Sequence, residues 1–400
     1  MSLNTDHINE VRAAARRLHR KQVTWRRHLH MHPELSFEEF ETTKFLKREI
    51  RKIGLRVLPL KMKTGVLAEL SGRGSGPTVA IRADIDALPV HEQTGLSFRS
   101  RVRDRMHACG HDVHTATALG AAALLSQMRD RLNGNVRFIF QPAEEQPPGG
   151  ALAMIENGAL KGVSTILGAH VDPDLPTGKI SLRDGVCMGA VYDFDLIIHG
   201  RGGHAARPHT AVDALVAAAE VVGSLQTVVS RKIDPIAPAV ITFGQVEGGR
   251  ARNTIPDRVR LVGTARTLSE ELYRKVPSLI KRTASGICRA HGATCELKPV
   301  ADYPVLRNDP GTNRLYERNY RALFGDGKIV QTDLVLGGED FARYLQKVPG
   351  AMFRLGIRNR KIGADKPWHS PEFMADEDAL VYGTSLFAAF VLDLLGKQVA

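Results

Sequence analysis

Cysteine, aromatic residues and long apolar runs are all scarce in this 400-residue chain. There are four cysteines, Cys109, Cys187, Cys288 and Cys295, and no Cys-x-x-Cys pair. Four are too few to staple a chain of this length, which excludes a disulfide scaffold and fits a reducing compartment. No run of about 18 consecutive apolar residues is present, so the expectation is that nothing spans a membrane. A signal-peptide core is also missing, because Asp6, Glu10 and Arg12 fall where its apolar residues would lie. A cytoplasmic protein is therefore expected. Aromatic residues make up 6% and do not stud any basic strand. Zinc-finger spacing and RNA-binding signatures are lacking as well, so the net charge of +12 does not indicate nucleic acid. Much of that charge sits at Arg12, Arg16, Arg17, Arg20, Lys21, Arg26 and Arg27, which read as a solvated helix face.

Hydrophobic residues make up 43% and charged residues 24%, the usual mixture for a globular chain with a core. Apolar periodicity predicts a helix over 8–30, broken by Pro33, and a second over 36–52. Ser36 and Glu39 have capping-box spacing at its start, and Gly54 ends it. Strand-length apolar runs follow at 65–70, 78–83, 135–140 and 164–170, the later ones separated by helical patterns at 112–129 and 149–158. That alternation predicts an α/β fold with a mostly parallel sheet. The pattern changes near residue 185. Strands at 190–199, 239–246, 258–267 and 293–300 surround helices at 210–230 and 269–290, the β-α-β-β-α-β order of a ferredoxin-like α+β domain. After Pro304 come helices at 310–324, 339–347 and 376–395 and a strand at 351–356. The division expected is a catalytic domain of residues 1–185 and 304–400, interrupted by an inserted domain of residues 186–303.

Metal-competent side chains fall in four places. HACGHDVH contains Cys109 and His111, two residues apart and on the same side of an extended segment. QPAEEQPPGG carries Glu144 and Glu145 directly after an apolar strand, where α/β sites form. His170 ends the strand at 164–170, and His369 lies in KPWHSPEF. Each cluster alone also fits a structural role. Together, Cys109, His111, Glu145, His170 and His369 are too many for one tetrahedral catalytic zinc and suit two ions if one ligand bridges. Glu144 is then available as a general base. Two other readings stay open: a thiol nucleophile Cys109 with His111 as base, and a binding protein that keeps the fold without the chemistry. His28, His30 and His32 read as a structural helix end, because steps of two scatter around a helix.

HACGHDVH, QPAEE, GAH, GRGGHAARPH, NTIPD, GGEDF and WHSPEF, in this order, resemble the aminoacylase/carboxypeptidase metallohydrolase family. Within it they are most similar to the branch of hippurate hydrolases and auxin-amino-acid-conjugate hydrolases. The resemblance implies a dinuclear-metal exopeptidase-like catalytic domain with an inserted lid and dimerisation domain. It implies that Cys109 bridges two divalent ions, one also held by Glu145 and His369, the other by His111 and His170. Zinc or manganese is expected, with cobalt or nickel accepted. Glu144 would be base and proton shuttle, and Asp86 would orient a ligand. Asp84 stands where other branches have a ligating His. His204 would reach into a partner subunit's site to stabilise the oxyanion, Asn253 would bind substrate, and Gly338 and Glu339 would line the pocket. The implied activity is hydrolysis of N-acyl amino acids by a homodimer or tetramer, with a metallo-carboxypeptidase or dipeptidase as the alternative.

Overall fold

A computed structural model describes residues 5–396, which divide into two compact units. The first comprises residues up to Gly185, Arg307–Asp333 and Arg343 onward. Its eight-stranded sheet has four parallel strands at its centre, in the spatial order Asn135–Gln141, Thr78–Asp84, Val163–Pro176 and Gly350–Arg358. Val66–Ser71 pairs antiparallel outside Asn135–Gln141. Every residue of Thr78–Asp84 is buried, as expected of a strand covered on both faces. Helices His111–Gln127 and Ala379–Leu395 are buried almost all round and pack on each other and on the helix Thr5–Met31. The approach is close: a Cβ on Gly120 would lie 2.1 Å from the Gln22 amide nitrogen and 2.6 Å from Thr384 Oγ1.

The helix expected over 36–52 runs Phe40–Ile53, with Gly54 in the left-handed C-cap at φ 90°. The capping-box expectation is overturned. Glu34 caps this helix, its carboxylate accepting Glu41 N–H at 3.0 Å and Thr42 N–H at 2.7 Å. Ser36 and Glu39 turn their side chains to Asp86 and to the Ala143 amide instead.

The second unit comprises Val186–Leu306 and Leu334–Ala342. Its antiparallel sheet has the order Ala239–Gly248, Arg258–Thr267, Ala190–His199, Thr294–Tyr303, with helices Ala214–Lys232 and Glu270–Ala290 packed on it. This is the ferredoxin-like arrangement read from the sequence. The long helix starts at Ala214 rather than 210 because Pro208–Thr210 forms a 3-10 turn. Asp213 then caps the helix by accepting Leu215 N–H at 2.9 Å and Val216 N–H at 3.1 Å. Helix Ala214–Lys232 is long and apolar enough to cross a membrane by length and composition, which the sequence reading overlooked. Ala214, Ala217, Ala218, Val221, Leu225 and Val228 form its buried stripe, in the core shared with the strands.

Residues 334–342 depart from the expected division. They pack with the second unit because Val335 bridges Met188, Gly189 N–H donates to Val335 O at 2.9 Å, and Gly338 lies against Val191 and Tyr303. The helix expected over 339–347 shortens to Ala342–Leu345, because a turn precedes it: Ala342 N–H donates to Glu339 O at 3.2 Å and Phe341 N–H to the Glu339 carboxylate at 2.9 Å.

Candidate metal centre

The site lies at the carboxyl ends of the parallel strands. Asp84 and Gln141 end two of them, and the loops that follow carry Asp86 and Glu144-Glu145. His170 lies within Val163–Pro176, paired in register with Arg354. Cys109 and His111 are brought together by a glycine turn, not by the extended segment expected. Gly110 has φ 87°, and a Cβ there would sit 2.4 Å from Val171 Cγ2. Only glycine combines that conformation with that approach. His111 then opens the helix His111–Gln127. His369 is anchored through its backbone, donating its N–H to Ala108 O at 2.9 Å, so the Cys109 and His369 segments are tied together.

All five expected ligands converge. Donor atoms of Cys109, His111 and His170 lie within 4.8 Å of one another, and so do those of Cys109, Glu145 and His369. Cys109 is common to both groups. Its Sγ is 3.6 Å from His170 Nε2, and Glu145 Oε1 is 3.4 Å from His369 Nε2 and 3.8 Å from His111 Nε2. Glu144 forms a third group with His111 and Glu145.

Hydrogen bonds fix which ring nitrogen faces inward. His111 Nδ1 donates to the Asp86 carbonyl at 3.0 Å and lies 3.2 Å from Asp86 Oδ1. His170 Nδ1 donates to the Val171 carbonyl at 2.8 Å. Both rings therefore turn Nε2 to the site: His170 as a neutral acceptor, and His111 as the nitrogen that a bound cation would claim in place of its proton. Asp86 also accepts Glu145 N–H at 3.0 Å and Ser36 Oγ–H at 2.7 Å, so it orients a histidine and the glutamate loop together.

The electrostatics fit a cation. Burial disfavours a charged His111, but Asp84, Asp86 and Glu145 outweigh it and raise its pKa to about 10. Burial, then Glu145 and Glu144, push the Cys109 thiol up. Burial, then His114, pull His170 down, leaving it neutral. Too many negative groups face too few positive ones. Among the described residues, His111 Nε2 and Glu145 Oε1 are buried without a hydrogen-bond partner. Buried polar atoms are rarely left so, and a thiol, imidazoles and a carboxylate around them make a donor set for divalent transition metals.

The sequence reading did not single out His114 or Arg82. His114 Nδ1 donates to Asp84 Oδ1 at 2.6 Å, and its Nε2 accepts Val171 N–H at 2.9 Å, which holds the strand beside His170. Arg82 donates to the other Asp84 oxygen, Oδ2, at 2.6 Å. The signal was present in RADID, two charged residues buried in a strand that is otherwise a core element. His30, read as structural, is buried and bonded to Asp112 at 2.8 Å and Glu92 at 3.2 Å.

His204, Asn253, Gly338 and Glu339 belong to the second unit. His204 lies on the short strand Gly203–His204, paired with Thr254–Ile255, and Ala205 N–H donates to Asn253 O at 3.0 Å. His204 Nδ1 accepts Ala206 N–H at 3.1 Å, which places the ring proton on Nε2 of an exposed side chain. Glu339 is buried and accepts Phe341 N–H at 2.9 Å.

Fold and donor set define the class: a metal-dependent hydrolase with two adjoining ion sites. A family model described as Peptidase family M20/M25/M40 matches residues 80–393. N-acetylcysteine deacetylase of Bacillus subtilis is 43% identical over 383 residues, covering 96% of this chain and 99% of the relative. Thermostable carboxypeptidase 1 of Saccharolobus solfataricus is 38% identical over 395 residues, covering 98% and 100%. The crystal structure of the Bacillus subtilis YXEP protein, described as a dinuclear metal binding peptidase from the M20 family, superposes with a TM-score of 0.82. Its identity is 40%, over 95% of this chain and 99% of that one. The chain belongs to the M20 peptidase family and is a hydrolase of amide C–N bonds.

Proposed function

We propose that this enzyme hydrolyses the amide bond of N-acyl amino acids, releasing a carboxylic acid and a free amino acid. The observation that carries the reading is the Glu144-Glu145 pair. Glu145 joins the donor set, while Glu144 lies beside it as a second carboxylate for proton transfer. Two divalent ions would be held by Cys109, Glu145 and His369 and by Cys109, His111 and His170. When bound they supply Lewis acidity and a lowered pKa for water. Glu144 takes the proton of the attacking water and returns it to the leaving nitrogen, so water is consumed and acid and amine are formed. His204, with its proton on Nε2, is suited to donate to the carbonyl oxygen as negative charge develops there. Asn253, its neighbour on the same ribbon, would bind the substrate near the scissile amide, and Gly338 and Glu339 would shape the pocket wall.

Similarity to N-acetylcysteine deacetylase supports short N-acyl groups, and hippurate-like and indoleacetyl conjugates share the same scissile bond. Similarity to thermostable carboxypeptidase 1 supports a second reading, removal of a C-terminal residue from a peptide. The thiol among imidazoles and carboxylates suits zinc first, with manganese, cobalt and nickel as alternatives. A homodimer is supported by the open edge of strand Ala239–Gly248, where Val240 and Val246 are exposed, and by exposed Leu215 and Val216 on the helix Ala214–Lys232.

The test is amino-acid release from N-acetyl-Met, hippurate, an indoleacetyl conjugate and a dipeptide panel, by chelated enzyme and by enzyme resupplied with single metals. Metal-restored release from N-acyl amino acids is expected. Activity that survives chelation would remove the metal-dependent reading, and release from peptides alone would favour the carboxypeptidase.

A further inference from the structure

The amides on either side of Glu144 are each held by a buried carboxylate. Ala143 N–H donates to Glu39 Oε1 at 2.8 Å, and Glu145 N–H donates to Asp86 Oδ2 at 3.0 Å. Ala143 is buried and has φ 52°, in the left-handed region that alanine enters at a cost. Its carbonyl accepts Gly150 N–H at 2.9 Å, so the residue is tied at both ends. Glu39 itself is fully buried, and its Oε2 has no hydrogen-bond partner within normal distance among the described residues. Burial, then the charge of Asp86, push its pKa up to about 7. A carboxyl group in such a place is costly. Glu39 stands at the N-cap of its own helix yet makes no side-chain cap bond there; Glu34 does that work. A local rule broken in this way marks a residue held for another purpose. Ser36, three residues earlier, donates to Asp86 Oδ2 at 2.7 Å, so the one segment supports both carboxylates that hold the Glu144 backbone.

We infer that Glu39 is a positioning residue for the Glu144-Glu145 loop: by accepting the Ala143 amide it keeps the left-handed turn that aims both glutamates. This rests on the reading of Glu144 as base and Glu145 as ligand. The test compares the full-length wild type with E39Q, E39L, A143G and the double variant E39L/A143G. Two readouts are taken: cobalt(II) titration of the metal-free protein, and kcat and KM on the best N-acyl substrate. E39Q keeps an oxygen acceptor and is expected to stay within about threefold of wild type in both. E39L is expected to weaken cobalt(II) binding about tenfold or more, and to lower kcat about 30-fold while KM changes little. A glycine at 143 takes positive φ without help, so E39L/A143G is expected to regain about fivefold of that loss.

Wild-type cobalt(II) binding and kcat in folded E39L would overturn the inference. So would equal damage in E39Q and E39L, or the absence of rescue by A143G. If E39L does not fold, E39A takes its place and the same coupling to A143G is required. Cobalt(II) binding needs no substrate. Weakened binding in E39L alongside a wild type inactive on every N-acyl amino acid would therefore support Glu39 while removing the proposed substrate class.

Discussion

His111 and His170 each commit Nδ1 to a backbone carbonyl and leave Nε2 facing Cys109 and Glu145. Glu144 sits next to this set but is not needed to complete either group of three around Cys109. Removing its charge should therefore leave metal bound and stop the proton transfer. E144Q is expected to retain both ions by metal analysis while kcat falls about 10²–10⁴-fold. Near-normal turnover would take Glu144 out of the reaction. At this scale the sequence was readable where residue type and chemistry coincide. Cys109, His111, Glu145, His170 and His369 were identifiable because few other roles gather those residue types, four of them in or near the loops expected at strand ends; His170 instead lies inside Val163–Pro176. The local reason was not: Gly110 and its contact with Val171, not strand alternation, bring Cys109 and His111 together. Ser36 and Glu39 were misread because capping-box spacing is a local signal, whereas their partners lie 50 and 104 residues away.

The N-terminal helix Thr5–Met31 is fastened beside His111 by a cluster of charges that is buried at Arg26, His30 and Asp112 and half-exposed at Arg27. Arg26 Nε donates to Asp112 Oδ2 at 2.8 Å, His30 bridges Asp112 and Glu92, and Arg27 pairs with Glu377. Burial and Arg26 oppose charge on His30, but Asp112, through its charge and hydrogen bond, and Glu92 outweigh them, so its pKa is raised. A raised pKa means the folded protein holds this proton more tightly than the unfolded chain. The stabilisation is complete below the ordinary imidazole value of about 6.5 and is lost as pH rises through the raised value. Thermal unfolding from pH 6 upward should show this decline in wild type. H30Q is expected to be about 1–3 kcal/mol less stable at pH 6 and to have a flatter pH dependence above it. An unchanged slope in H30Q would assign the decline to another group. Most elements were legible from their patterns; Ala190–His199, Arg258–Thr267 and Pro310–Phe324 have the bounds expected from sequence. The segment 334–342 was not, because its backbone pairing with Met188 and Gly189 is a tertiary event that no periodicity records.

Two units in one chain raise the question of how many chains complete a site. The βαββαβ order of the second unit was legible because alternating strands and amphipathic helices each announce their own period. Whether that unit pairs with a second copy is not written in such patterns, because an open strand edge such as Ala239–Gly248 has the same sequence whether it is free or paired. If His204 acts in the site of a second subunit, H204A and E144Q damage different halves of the same reaction centre. Each variant alone is expected to be nearly inactive. Mixed one to one under conditions that exchange subunits, half of the dimers become hybrids. In each hybrid, one site combines an intact Glu144 with an intact His204 from the partner, and the other combines both defects. Random exchange should then restore about a quarter of wild-type activity per subunit, by counting the arrangements of a two-fold dimer. The assay measures activity against the mixing ratio, with exchange followed separately by differently tagged subunits. Recovery that rises and falls with the hybrid fraction would place His204 across the interface. Full exchange without recovery would place His204 and Glu144 in the same subunit's site, because every hybrid would then still contain only singly broken centres.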